Sequence, residues 1–181
     1  TVTGVQTCAL PICCLREWTV PDWPFLLYVV LAAASSGIKI RLGSIQGYFT
    51  PNFLFVLAGV AYFSLSETVI ACCAAGFGMS LLNAKVKPKP IQIAFNVANL
   101  VLSGSVAFIA AHSLFGEGIT RYRPAWFAMV TTVYFVVNTT LVSGILSLVG
   151  KETFRAINAR YYLTSFPYYL VGAAAVGVLP L

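Results

Sequence analysis

The spacing of charge constrains this chain more than any other feature. Eleven Lys and Arg and five Asp and Glu are the only residues counted as charged at pH 7 in 181. They leave six uncharged windows: Trp23 to Ile38, Leu42 to Ser66, Thr68 to Ala84, Pro90 to Gly116, Pro124 to Gly150 and Tyr161 to Leu181. A helix that spans a bilayer needs about 20 mostly apolar residues. Four windows meet that length. The two shorter ones are bordered by charged residues whose stems can reach the interface. A soluble domain carries about 25% charged residues, whereas this chain has 9%, with 59% hydrophobic. So little polar surface could not coat a globule of this size. Soluble enzyme, disordered protein and nucleic-acid-binding domain are disfavoured, and nucleic acid is not an expected partner.

The pattern predicts an all-α fold, a polytopic transmembrane bundle of about six helices near 23–38, 49–63, 66–83, 91–114, 125–149 and 162–180. Its punctuation is explicit. Pro21 and Pro24, with Trp18 and Trp23, open the first helix at headgroup depth. Gly43 to Thr50 is turn-rich, and Pro51 suits a first helical turn. Ser64 and Glu67 have capping-box spacing. Pro88 and Pro90 precede the fourth helix and Pro124 opens the fifth. Pro167 predicts a kink or a late start in the sixth.

Alternating helices would gather Lys39, Arg41, Lys85, Lys87, Lys89, Lys151, Arg155 and Arg160 at one side. Arg16, Arg121 and Arg123 would lie at the other. That asymmetry over short loops makes the richer side cytoplasmic. Both ends of the chain then lie outside. The first residues need separate treatment, because Val2 to Ile12 reads VTGVQTCALPI, a string that resembles a translated sequencing-library adapter. On that reading residues 1–12 are not native, residues 13–181 form a single sensor-like domain, and the sequence is truncated at both ends.

No catalytic set is visible. The five cysteines, Cys8, Cys13, Cys14, Cys72 and Cys73, include two adjacent pairs and no CxxC, and with one histidine a zinc site lacks ligands. No cofactor, metal or catalytic residue is expected. Glu67 reads as a helix cap and His112 as an interfacial histidine. Polar residues inside the apolar windows say more. Asn96, Asn99 and Ser103 share one face of the fourth helix, and Thr131, Tyr134 and Asn138 share one face of the fifth. A bare amide in lipid costs several kcal/mol, roughly, so both faces should point inward. They could serve as interhelical hydrogen bonds that fix the bundle, or line a polar pocket that receives a ligand. Cys72, Gly76 and Ser80, and Ala74 with Gly78, are spaced for close helix approach. Tyr161, Tyr162, Phe166, Tyr168 and Tyr169 read as an interfacial aromatic belt.

Several stretches resemble a known family. They are Ile38-Lys-Ile-Arg-Leu-Gly, Thr50-Pro-Asn-Phe-Leu-Phe-Val-Leu-Ala, Phe95-Asn-Val-Ala-Asn-Leu-Val-Leu-Ser, Tyr134-Phe-Val-Val-Asn-Thr and Phe166-Pro-Tyr-Tyr-Leu-Val-Gly-Ala. They look like the MASE-like membrane sensory regions of bacterial signalling proteins, over about residues 24–181. In such proteins the region stands before a cytoplasmic HD-GYP phosphodiesterase or GGDEF cyclase domain acting on cyclic di-GMP. The resemblance implies a sensor in the bacterial inner membrane, with one further helix at each end. It carries Asn52, Asn96, Asn138, Pro167 and Tyr168 as matching polar positions, structural first and signalling second. The expected partners are the lipid bilayer, an output domain beyond Leu181 and, in a homodimer, a second copy. This chain has no HD, GYP or GGDEF motif. The competing reading is a small-molecule transporter or its substrate-binding membrane component, with Pro167 as a helix break. A lipid-modifying membrane enzyme is disfavoured for want of converging acids, histidines or nucleophiles.

Overall fold

A computed structural model describes residues 23–38, 40–41, 48–49, 51–82, 84, 87–115, 123–150 and 153–177. The adapter-like segment, Cys13, Cys14, Arg16, Trp18, Pro21, Lys39, Lys85, Arg121 and Lys151 lie outside the described residues. So do the side chains of Arg41, Arg123, Arg160, Tyr161 and Tyr162.

Six helices are described: α1 Trp23–Ser35, α2 Asn52–Tyr62, α3 Leu65–Leu81, α4 Pro90–Phe115, α5 Arg123–Val149 and α6 Phe154–Gly177. A small ladder, β1 Ile40–Arg41 with β2 Tyr48–Phe49, pairs antiparallel between α1 and α2. The turn-rich run predicts only a turn there, so the ladder is an addition. The helix boundaries follow local chemistry. Pro51 precedes α2. Ser64 then caps α3, its Oγ accepting from the Glu67 N–H while the Glu67 carboxylate accepts from the Ser64 N–H at 2.9 Å. Two of the orphan donors at the α3 N-terminus are thereby satisfied.

Among the described residues, Pro90–Leu114 and Pro124–Val149 are the helices long and apolar enough to cross a membrane. Two of the six expected spans thus reach full length. The window from Leu42 to Ser66 is divided by the ladder, by Pro51 and by the extended Phe63, leaving α2 with 11 residues. At 1.5 Å per residue it is about 16 Å long, half the depth of a hydrocarbon core. A correction concerns α6. It starts at Phe154 and is one helix through Pro167, rather than beginning late. Pro167 withdraws one N–H from the ladder, and the helix on either side carries it.

Close contacts fix the helix directions. Tyr28 reaches Phe55, Gly59 would touch Thr68, Asn96 reaches Ser80, and Asn99 reaches Asn138. Phe135 meets Phe166, and Gly177 would touch Phe127. Each sequential pair from α1 to α6 therefore runs antiparallel. The ends of α1, α3 and α5 share one side, next to the described and exposed Lys87, Lys89 and Arg155.

The core runs through α2, α3, α4 and α5 to the last turns of α6, with Phe53, Leu57, Val60, Cys72, Ala75, Ala107, Trp126, Val130 and Val176 buried. Small residues set the spacing on α3. A Cβ on Gly76 would lie 2.7 Å from the Val97 Cα of α4, and one on Gly78 would strike the Ala33 carbonyl of α1. The small-residue spacing thus does what the sequence predicts: α3 meets two partners backbone to backbone. Outward, Leu148, Val149, Val171, Ile91, Val30 and Ile109 are exposed, an apolar coat suited to lipid rather than water.

Candidate functional site

The polar side chains of α4 and α5 meet in the interior. The Asn99 Nδ2 donates to the Asn138 Oδ1 at 2.5 Å. Asn138 also hydrogen-bonds Tyr169 of α6. Three helices are thus tied at one level by two amides and a phenol. Tyr134 lies beneath this tie, its ring 6.2 Å from that of Tyr169. Tyr169 is held in turn by Phe53 of α2 at 4.7 Å and Phe135 at 4.9 Å between ring centroids. Asn99, Ser103, Thr131 and Tyr134 are buried, and Asn138 is half-buried.

The other predicted residues lie elsewhere. Asn96 donates to Ser80 Oγ at 3.0 Å, and Ser80 donates to the Gly76 carbonyl at 2.9 Å. That pair joins α3 to α4, apart from the Asn99 tie. Asn52 is buried at the start of α2. Pro167 and Tyr168 are exposed on α6. The nine candidates therefore do not form one site: Asn99, Ser103, Thr131, Tyr134 and Asn138 fall together, and Asn52, Asn96, Pro167 and Tyr168 do not join them.

Tyr169 is the residue the sequence reading assigns wrongly. It is half-buried and packs against the core, and Phe166 too turns inward onto Phe135 at 5.1 Å. A helical offset was the available signal. Phe166 and Tyr169 are three apart on one face, with Gly172 and Ala173 continuing it into the core. Tyr28 is a second omission: its hydroxyl donates to the Phe55 carbonyl, tying α1 to α2.

The chemistry of the site is hydrogen bonding without formal charge. The one acid in the described helices, Glu67, is used in its cap. Among the described residues no group of three His, Cys, Asp or Glu could hold a metal. His112 is exposed, stacked on Phe108 at 4.0 Å with its Nδ1 2.9 Å from the Phe108 carbonyl. It forms part of the wall at its own helix end, far along α4 from Asn99.

An all-helical domain with two membrane-length helices, an apolar coat and an uncharged polar core is built as a membrane-associated module. The MASE9 family model matches residues 14–171, and the chain belongs to this family of membrane-associated sensor domains. No curated protein and no solved structure matches it.

Proposed function

We propose that the chain is the input region of a bacterial cyclic di-GMP signalling protein. It lies in the inner membrane as a multi-pass bundle and passes a helix displacement to a cytoplasmic HD-GYP or GGDEF domain. Family membership is the observation that carries this reading, and the MASE-like resemblance supplies its output. The geometry supports it in two ways. The antiparallel order of the helices leaves the described basic residues Lys87, Lys89 and Arg155 at one side, which supports a cytoplasmic face there. The Asn99–Asn138–Tyr169 tie joins α4, α5 and α6, so a change at one is felt by the helix leading toward an output.

The DNA following the codon for Leu181 tests the output. A helix and then an HD-GYP or GGDEF motif is expected. A stop codon beside an ATPase gene would instead support the transporter. Topology is tested separately by single cysteines at Lys87 and Gly118 in a background with the native cysteines replaced. A membrane-impermeant maleimide applied from outside should modify only the Gly118 site.

A further inference from the structure

Four buried polar atoms of α4 and α5 have no hydrogen-bond partner among the described residues: Asn99 Oδ1, Ser103 Oγ, Ser105 Oγ and Thr131 Oγ1. Ser105 is two residues from Ser103 and so lies on another face of α4; the other three fall along the interface at which Asn99 meets α5. Their residues are almost wholly inaccessible: Asn99 at 4%, Ser103 at 0% and Thr131 at 0%. Groups left in that state cost free energy wherever they lie, and more in a low-dielectric interior. The antiparallel register sets them in sequence along the axis. With Asn99 opposite Asn138, Ser103 is level with Tyr134 and Thr131 with Val106. Asn99 and Ser103 then differ by four residues, about 6 Å, and Ser103 and Thr131 by three, about 4.5 Å.

We propose that this stretch is an internal hydration site, in which ordered water bridges α4 to α5 through Asn99, Ser103 and Thr131. The chemistry selects the guest. Asn99 Oδ1 only accepts, so the guest must donate, while a serine and a threonine hydroxyl can do either. No charged side chain of the described helices is at this level, so the guest is neutral. Water needs two to four polar partners to stay in such a place, and each neighbouring pair, Asn99 with Ser103 and Ser103 with Thr131, supplies two. Water-bridged helices can shift by exchanging the bridge, where a direct amide pair must break. The site therefore gives α5, at Thr131, an adjustable contact about two turns from the fixed Asn99–Asn138 pair. This holds whatever output the domain serves.

The test uses the full chain in phosphatidylglycerol nanodiscs under brief X-ray radiolysis, which makes hydroxyl radicals from bound water. Tyr134 and Phe53 are each 1% exposed, but only Tyr134 adjoins the proposed water. Labelling of Tyr134 several-fold above Phe53 is expected, and its loss in T131V. Equal labelling of the two overturns the proposal. Melting temperatures give an independent readout. An unpartnered hydroxyl replaced by a methyl of the same shape stabilises or leaves the fold unchanged, whereas a water-bonded one destabilises it when removed. T131V should therefore melt lower than the wild type; if it melts as high or higher, no water is bound there.

Discussion

The glycines of α3 meet α1 and α4 backbone against backbone, whereas α4 to α6 meet through amides, hydroxyls and rings. On α3, Gly78 rests on the Ala33 carbonyl of α1 and Gly76 lies 2.7 Å, by its added Cβ, from the Val97 Cα of α4. Among α4, α5 and α6, Asn99, Asn138 and Tyr169 make the joint. Lipid offers no hydrophobic reward for helix association, so close packing and hydrogen bonds must supply it. The α3 glycines use the first, and the α4–α6 joint uses the second. Backbone contact is rigid because nothing in it can rotate. Side-chain contact can be re-made, and a sensor needs at least one interface of that kind beside a frame that holds still.

The comparison can be broken at its stiff side first. Gly78→Val should be the most damaging change, costing about 1–3 kcal/mol or abolishing insertion, because the Ala33 carbonyl cannot move aside. Thermal unfolding in nanodiscs reads it. An effect smaller than that of any α4–α5 variant would remove the distinction. Next is Asn138→Leu, which strands Asn99 and Tyr169 together. It should cost about 1–2 kcal/mol and disturb signalling; normal folding and normal output would show that the tie carries nothing. Ser64→Ala should cost about 1 kcal/mol, with a frayed first turn of α3 visible as faster amide exchange at Glu67 and Thr68. Asn96→Leu should be mildest, about 0.6 kcal/mol, because only its single bond to Ser80 is lost. If it equals Asn138→Leu, the polar contacts of α3–α4 and α4–α5 are of one kind.

Much of this organisation is legible in the sequence because it is local. Ser64 and Glu67 sit three apart, and the box they form depends on nothing else. The boundaries of α4 and α5 follow from Pro90, Pro124 and the charges flanking them. The inward faces of Asn99 and Asn138 follow from the cost of an amide in lipid. What was not legible is what depends on partners. The sequence places a helix near 49–63 in the window from Leu42 to Ser66, and the structure trims it to the 11 residues Asn52–Tyr62. Tyr169 has the composition of an interfacial residue, and its place is decided by Phe53 on a helix more than a hundred positions away. Asn96 and Asn99 lie on one face, yet they bond different helices, because a face one helix wide can border two neighbours.

The brevity of α2 bears on how such a domain is made. In a membrane-embedded bundle a segment about 16 Å long cannot be recognised and released into lipid as a span of its own. Its polar backbone ends would be left in hydrocarbon. It has to enter together with α3, as a hairpin closed where Gly59 meets Thr68, and wait for Tyr169 and Gly172 of α6 to cover Phe53. Assembly would then be completed only after α6 has been synthesised, which makes α6 the final lock of the bundle.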